Sequence, residues 1–234
     1  MKLEIFKAVD GEMQADFMVR PETHDRNIVQ EIWDKKFYSY EIKPGDVVVD
    51  IGAHIGSFSV WALHHGANIV AFEPDEVNFN LLSHNIDEAK KTCAGNADVH
   101  NTAVRSSRGV FFMNRGAEGQ PNTGGYKVID EVEAVKTTEP LQRIDNITKT
   151  DLIFKHTPII DFLKLDCEGS EFDILENLTD EQWGQINSIM MEWHFDKMRA
   201  DRLVELIKSK GFAITDYSTN PDAPEPLGRI MAKK

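Results

Sequence analysis

The sequence predicts an α/β fold with one mostly parallel, doubly wound sheet and helices on both of its faces. Three observations support this prediction. From residue 46 onward, apolar runs of strand length alternate with helical patterns. The run Val47–Ile51 is apolar except for Asp50, which is typical of a strand covered on both faces. Glycines at positions 52 and 56 then lead into a helical pattern, as at the start of a βαβ unit.

The chain has 234 residues, of which 41% are hydrophobic, so it can fill one sizeable core. Two short strands at 2–9 and 16–20 flank the turn residues Asp10-Gly11, and a helical pattern covers Asn27–Lys36. Pro44-Gly45 then breaks the chain. We therefore expect an N-terminal hairpin and helix cap over residues 1–44 and a main domain over residues 45–234.

The first part of the main domain continues the alternation. It predicts strand Val47–Ile51, helix Ser57–His65, strand Ala67–Phe72, a helix near Glu76–Lys91, a short strand near Val99–Val104 and strand Val110–Met113. The polar, glycine-rich stretch at 114–125 predicts a loop. After it, Tyr126–Val135 alternates weakly, and Leu141–Ile147 is interpreted as a helical or turn segment.

The last part returns to buried strands and amphipathic helices. It predicts strand Ile159–Leu165, helix Glu171–Leu178, strand Ser188–Trp193, helix Ala200–Lys210, and a closing hairpin of Phe212–Tyr217 with Arg229–Ala232 across the proline-rich segment 220–226.

Charge and composition limit the partners. With 26 basic and 39 acidic residues, the net charge of -13 repels nucleic acid and anionic membrane surfaces. The two cysteines have no short-range partner, and no apolar stretch approaches the roughly 20 residues that span a bilayer. We expect a cytoplasmic protein without nucleic-acid or membrane partners, and homo-oligomers are compatible with the sequence.

The first strand-to-helix turn predicts a nucleoside-type ligand. Gly52 and Gly56 allow a tight turn with close backbone approach, and Asp50 is expected to point a carboxylate toward the same crevice. Glu73 ends the second strand, where an acid accepts two hydrogen bonds from a ribose diol. The turn reads G-A-H-I-G rather than G-x-G-x-x-G, and an acid beside it suits a cationic ligand. S-adenosylmethionine is therefore favoured over NAD, and a NAD-dependent oxidoreductase is the disfavoured alternative.

Two strand ends carry candidate catalytic groups. The stretch DCEGSE follows one predicted strand and EWH ends the next, so Asp166, Glu168, Glu192 and His194 are expected to converge on one rim. His194 is the natural general base, because its unperturbed pKa of about 6.5 suits proton removal near neutrality. Alternatively, Asp166 and Glu168 hold a divalent cation such as Mg²⁺, with His194 or Glu192 as a further ligand.

These residues resemble the FkbM family of S-adenosylmethionine-dependent methyltransferases. The resemblance runs from about Asp25 to Ala232 through VVVDIGAHIGSFS, VAFEPDEVNFNLLSHNI, NTGGY, LQRID, FLKLDCEGSEFDIL and MMEWH. It implies a class I methyltransferase fold, with a seven-stranded sheet whose last strand is antiparallel, and methyl transfer to oxygen of sugars or natural products. The segment Asn114–Glu139 is expected to differ from typical members.

The resemblance also assigns site residues. The expected cofactor contacts are Asp50, Gly52, Ala53, Gly56, Glu73, Pro74, Asn101, Ala103 and Asp166. The polar NTGGY loop is flexible enough to close over an acceptor, so the expected acceptor contacts are Asn122, Thr123, Gly124 and Tyr126.

Three functions stay open on the sequence. The first is O-methylation of a hydroxyl on a sugar, glycan or natural-product small molecule. The second is N-methylation of a small molecule or protein, which the DCEG strand end disfavours. The third is a catalytically silent cofactor-binding subunit of a biosynthetic complex.

Overall fold

The computed structural model describes residues 2–34, 41–117, 121–220 and 227–234. The N-terminal segment contains β1 (Glu4–Asp10), β2 (Met13–Val19) and α1 (Asp25–Trp33). Since β1 and β2 pair antiparallel over their whole lengths, the predicted hairpin is confirmed. The predicted end of the first helix at Lys36 lies outside the described residues.

The first half of the main sheet follows the predicted alternation. Its elements are β3 (Val47–Ile51), α2 (Ser57–His64), β4 (Asn68–Phe72), α3 (Glu76–Ala89) and β5 (Ala97–His100). The three strands are parallel neighbours, with β4 in the middle. Asp75 begins α3, because its side chain accepts the backbone N–H groups of Val77 and Asn78.

The segment between the two halves forms smaller sheets. Its elements are β6 (Ala103–Arg105), β7 (Phe111–Asn114), β8 (Lys127–Asp130), α4 (Glu131–Ala134), β9 (Leu141–Ile144), β10 (Ile147–Lys149) and α5 (Thr150–His156). β7 is the central strand of an antiparallel sheet with β8 and β9, and β6 pairs parallel with β10.

Two predictions in this segment are wrong. The strand predicted near Val99–Val104 is divided between β5 and β6, which belong to different sheets. The chain turns between them, where the Asn101 side chain donates to the carbonyls of Glu73 and Pro74. The stretch Leu141–Ile147 was predicted as helical or turn, but its first four residues form β9 and Ile147 begins β10. β9 forms because β7 provides a pairing edge that the local sequence does not reveal.

The second half completes the sheet. Its elements are β11 (Phe162–Leu165), α6 (Glu171–Glu176), α7 (Asp180–Gln185), β12 (Ser188–Trp193), α8 (Lys197–Ser209), β13 (Ala213–Thr219) and β14 (Gly228–Lys233). β14 lies between β12 and β13 and is antiparallel to both, so the expected closing hairpin and antiparallel last strand are confirmed. Residues 221–226 of its proline-rich connection lie outside the described residues.

The main sheet has seven strands in the order β13-β14-β12-β11-β3-β4-β5 and separates two hydrophobic layers. Buried side chains of α1, α2 and α3 pack on one face, and those of α5, α6, α7 and α8 pack on the other. The predicted doubly wound sheet is therefore confirmed. Because β3, β4, β11 and β12 are parallel, their carboxyl ends meet at one edge.

Candidate active site

A cavity of about 950 Å³ opens at this edge of the sheet. It brings together most of the predicted site residues, although they come from distant parts of the chain. Those that line it are Gly52, Glu73, Pro74, Ala103, Asn122, Thr123, Gly124, Tyr126, Asp166, Glu168, Glu192 and His194. The predicted contacts Asp50, Ala53, Gly56 and Asn101 are not among its lining residues.

Both glycines of the first turn are required by the backbone. Gly52 has a φ of 83°, and a Cβ atom there would lie 1.8 Å from the carbonyl oxygen of Asp166. Gly56 has a φ of 90°, and its Cβ would lie 2.8 Å from Cδ1 of Leu82. Gly52 therefore lets the turn approach the end of β11, whereas Gly56 lets α2 begin against α3. The N–H of Ala53 is already used by the carbonyl oxygen of Phe72, at 3.0 Å.

Asp50 does not face the cavity, which corrects its predicted position. Its side chain is fully buried, where it accepts hydrogen bonds from Ser59 Oγ at 2.6 Å and Lys164 Nζ at 2.9 Å. Lys164 Nζ also donates to the carbonyl oxygen of Gly52 at 3.0 Å. Asp50 thus stabilises the turn indirectly, because the lysine that it binds also binds the Gly52 carbonyl. The charge of Asp50 is neutralised by Lys164 within the protein.

Glu73 lies in the cavity at the end of β4, as predicted. Its two carboxylate oxygens accept the backbone N–H groups of His54 and Asp75, each at 2.9 Å. Burial raises its pKa to about 7, although these two hydrogen bonds favour the ionised form. The Asn78 side chain is a further hydrogen-bond partner of this carboxylate. Since a carboxylate has about four acceptor positions, some capacity remains for a hydroxyl group of a ligand.

The predicted catalytic residues converge at the other end of the cavity. Ligand atoms of Asp166, Glu192 and His194 all lie within 4.8 Å of one another, a spacing that can accommodate a metal ion. Glu168 Oε1 lies 3.6 Å from Nε2 of the same histidine. The expectation that these four side chains share one rim is therefore confirmed, although Glu168 is outside the closest group of three.

His194 is not a free base in this geometry. Its Nδ1 lies 3.3 Å from Oε1 of the buried carboxylate Glu171. Burial opposes its charge, but the bond to Glu171 and the charges of Glu171, Glu168 and Asp166 prevail and raise the pKa of His194 to about 10. The ring therefore favours its protonated form, which differs from the ordinary pKa on which its predicted role as a general base was based.

The pKa values of two neighbouring carboxyl groups are also raised. Burial, and then the negative charge of Asp166, raise the pKa of Glu192 to about 8. Burial also raises the pKa of Glu168 to about 7, against the effect of His194. Perturbed carboxyl groups in a cavity are typical of functional sites.

A buried polar network beside the turn was not predicted. Arg20 and Asp25 form a bidentate ion pair, and Arg20 Nη2 also donates to Asn78 Oδ1 at 2.8 Å and Thr123 Oγ1 at 2.9 Å. His54 Nε2 lies 3.0 Å from the same Thr123 oxygen. The network joins the residue that follows β2, α1, the glycine turn, α3 and the NTGGY loop, because each contributes one member.

The network corrects the role of Thr123. Its hydroxyl donates to Asp25 Oδ1 at 2.9 Å, its residue is only 4% exposed, and Asn78 Nδ2 donates to its carbonyl oxygen at 3.1 Å. Thr123 therefore fixes the loop rather than offering a free hydroxyl to an acceptor. Asn122 in the same loop is exposed and lines the cavity.

The comparison with protein families decides the identity. The family model described as the methyltransferase FkbM domain matches residues 50–214, which include the glycine turn, Glu73 and the cluster around His194. The chain belongs to the FkbM methyltransferase family. It is thus an S-adenosylmethionine-dependent methyltransferase, as the sequence predicted, rather than a NAD-dependent oxidoreductase.

Curated relatives support this family assignment along most of the chain. The chain is 27% identical to methyltransferase sdnD of Sordaria araneosa, over 88% of this chain and 89% of the relative. It is also 27% identical to the 31-O-demethyl-FK506 methyltransferase FkbM of Streptomyces tacrolimicus, with the same coverage.

A solved structure supports the fold. The precorrin-6y C5,15-methyltransferase of Geobacter metallireducens GS-15 is similar with a TM-score of 0.50 and 12% identity, over 92% of each chain. The predicted class I methyltransferase fold is confirmed. Within the described ranges, no helix is both long and apolar enough to cross a membrane.

Proposed function

We propose that this FkbM-family methyltransferase transfers the methyl group of S-adenosylmethionine to a hydroxyl oxygen of a small molecule, such as a sugar, glycan or natural product. One observation carries the proposal. A single cavity contains both Glu73 beside the glycine turn and the cluster of Asp166, Glu192 and His194. The two ends provide separate positions for a nucleoside and for a reacting hydroxyl.

The methyl donor would bind with its ribose at Glu73. The acceptor capacity that this carboxylate retains suits a hydroxyl of the ribose diol. Gly52 lines the cavity beside the end of β11, because a Cβ there would meet the Asp166 carbonyl oxygen. Asp50 cannot bind the cationic sulfonium and ammonium groups directly, because Lys164 pairs with it.

The reaction is a displacement in one step. The hydroxyl oxygen attacks the methyl carbon, the carbon–sulfur bond breaks with its electron pair left on sulfur, and the hydroxyl proton is released. Such a reaction needs alignment of the three atoms and an acceptor for the proton. The carboxylates of the far cluster are suited to receive that proton, because they line the cavity where the hydroxyl would lie.

The name of one relative supports oxygen, rather than nitrogen, as the atom that accepts the methyl group. The name of the Streptomyces tacrolimicus protein describes a methyltransferase for 31-O-demethyl-FK506, which is O-methylation of a natural product. Methylation of nitrogen and a silent cofactor-binding subunit stay as alternative outcomes of the test below.

Calorimetry tests donor binding. We expect S-adenosylmethionine and S-adenosylhomocysteine to bind and NAD not to bind. Glu73→Gln should weaken binding by about 1.5–3 kcal/mol, as for the loss of hydrogen bonds to a charged group. Glu88→Gln, an exposed acid on α3, is the matched control and should bind like the wild type. Binding of NAD alone would contradict the proposal.

Mass spectrometry tests the acceptor. Donor with a deuterated methyl group is incubated with panels of hydroxylated glycosides, polyketides and matched amines. Label on a hydroxyl supports the proposal. Label found only on amines would favour N-methylation, and donor binding without label in any panel would favour the silent subunit.

A further inference from the structure

The end of the cavity opposite Glu73 contains side chains of the types that bind metal cations. Asp166 follows β11, while Glu192 and His194 are at the end of β12, the neighbouring parallel strand. Their candidate ligand atoms lie within 4.8 Å of one another. Two carboxylates and one imidazole from the ends of two adjacent strands thus lie close together.

The histidine is already oriented as metal-binding histidines are. Glu171 is completely buried, and its oxygens accept the backbone N–H groups of Cys167 at 2.8 Å and Gly169 at 2.9 Å. Its Oε1 also lies 3.3 Å from Nδ1 of His194. This carboxylate is not itself a candidate ligand, but it fixes the ring so that Nε2 faces the cluster, 3.6 Å from Glu168 Oε1. A cation bound at Nε2 would displace the proton of that nitrogen. A carboxylate behind a histidine ligand is the usual arrangement in metal sites.

The carboxylates of the cluster lack sufficient protein partners. Across the part of the chain that the structure describes, the side chain of Glu192 makes no hydrogen bond or salt bridge. Asp166 is paired with Lys164 at 3.7 Å, but that ammonium is closer to Asp50 and to the Gly52 carbonyl. Glu192 and Asp166 therefore retain carboxylate acceptor positions that a bound cation can use.

We propose that Asp166, Glu192 and His194 bind one divalent cation at the acceptor end of the cavity. Two carboxylate oxygens suit Mg²⁺ and Mn²⁺, whereas an imidazole nitrogen suits transition metals. Mn²⁺ meets both preferences. Three protein ligands leave coordination positions open, where the cation would hold the acceptor hydroxyl and lower its pKa. This catalytic consequence rests on the proposed function, but the binding itself does not.

Direct metal binding is the test. Protein stripped with EDTA is titrated with MnCl₂, and free Mn²⁺ is followed by electron paramagnetic resonance. We expect saturation at a single Mn²⁺ per chain. Asp166→Asn and Glu192→Gln should each weaken the affinity by at least about tenfold. Glu205→Gln, an exposed acid on α8, should leave it unchanged.

A spectroscopic readout identifies the nitrogen ligand. Electron spin-echo modulation of bound Mn²⁺ should contain a nitrogen coupling that changes on ¹⁵N-histidine labelling and disappears in His194→Gln. Circular dichroism checks that each variant is folded, and the labelled wild type decides the matter if a variant is not. Absence of saturable binding, or binding that survives both carboxylate substitutions without a nitrogen coupling, overturns the inference.

The two proposals fail separately. The same preparations are titrated with S-adenosylmethionine in EDTA. Donor binding without Mn²⁺ binding would leave the proposed function standing and remove the cation site. Mn²⁺ binding without donor binding would do the reverse.

Discussion

Arg20 and Asp25 form a bidentate ion pair in the interior, with Nε donating to Oδ2 at 2.8 Å and Nη2 to Oδ1 at 2.9 Å. Although burial opposes ionisation, the bond to Arg20 and the charges of His54 and Arg20 hold the pKa of Asp25 below its usual range. Arg20 and Asp25 are close in sequence. The pair nevertheless connects segments that are distant in sequence, because Arg20 also binds Thr123 and Asn78.

We expect Asp25→Asn to destabilise the protein strongly. Removing one charge of a buried pair leaves the other uncompensated, which costs about 3–5 kcal/mol. Urea unfolding followed by circular dichroism measures this change. Asp16→Asn breaks the exposed pair with Lys7 and should change the free energy of unfolding by no more than about 1 kcal/mol. Equal effects of the two variants would contradict the importance of the network.

Substitutions at the adjacent residues Thr123 and Asn122 should differ strongly in their effect on the free energy of unfolding. Thr123→Val removes a buried hydroxyl bonded to Arg20 and Asp25, and should lower the free energy of unfolding by about 1–3 kcal/mol. Asn122→Ala lies on the exposed side of the loop and should change it by no more than about 0.5 kcal/mol. A larger loss for Asn122→Ala than for Thr123→Val is incompatible with this assignment. Chemical denaturation of both variants provides the comparison.

Gly52→Ala should be far more damaging than Gly11→Ala. Both glycines have positive φ, but only at Gly52 would the new Cβ meet a carbonyl oxygen, at 1.8 Å, while nothing lies within 4 Å at Gly11. Gly11→Ala should therefore show the backbone strain alone, roughly 1–2 kcal/mol. Gly52→Ala should exceed about 4 kcal/mol or fail to fold. Thermal unfolding of both variants tests the difference, and similar melting temperatures would show that the turn can move away from β11.

Donor affinity should depend on pH through Glu73. Its pKa is raised to about 7, so the carboxylate that accepts the ribose diol is ionised above that pH and neutral below it. Affinity for S-adenosylhomocysteine should therefore fall by about tenfold from pH 8 to pH 6 if only the ionised form binds well. Calorimetry across this range measures it, and Glu73→Gln reports the dependence due to other groups. A wild-type profile as flat as that of the variant would rule out Glu73 as the titrating group.

His54 should make the fold sensitive to acid. Burial is the main reason that its pKa is lowered to about 4, against the attraction of Asp25 and together with the repulsion of Arg20 and Lys164. The unfolded chain, with a histidine pKa of about 6.5, binds more protons between these values, so stability falls as pH falls through this window. The shift corresponds to about 3 kcal/mol at about 1.4 kcal/mol per unit.

Urea unfolding at pH 7 and pH 5 tests this sign. The loss of stability on acidification should be smaller in His54→Gln than in the wild type. His156→Gln, at the end of α5, is the control and should keep the wild-type loss. Equal slopes in all three proteins would show that His54 does not account for the acid sensitivity.

Local patterns predicted the elements of the main sheet well. The unit β3-α2-β4 was found because its strands are buried runs and its turn contains glycines whose backbone needs are visible in the sequence. Glu73 and the cluster of Asp166, Glu192 and His194 were placed correctly because strand ends in a parallel sheet share one edge.

The directions of side chains were harder to predict. Asp50 turns away from the cavity because Lys164, 114 residues later, binds it from the next strand. The Arg20 network was missed because the partners Asn78 and Thr123 are 58 and 103 residues away. The protonation of His194 depends on Glu171, which the sequence indicated only as the first residue of a predicted helix. Each of these outcomes depends on pairing that exists only in the folded chain.

Because β14 pairs with a strand on each side, it limits how far the chain can be shortened without loss of the sheet. The family match ends at residue 214, before this strand, yet β14 provides the pairing edge for both β12 and β13. A chain shortened to the matched segment would leave the strand that carries Glu192 and His194 as an open sheet edge, which is prone to association with other chains. The recognisable segment of the family is therefore smaller than the unit that can be excised, expressed or grafted.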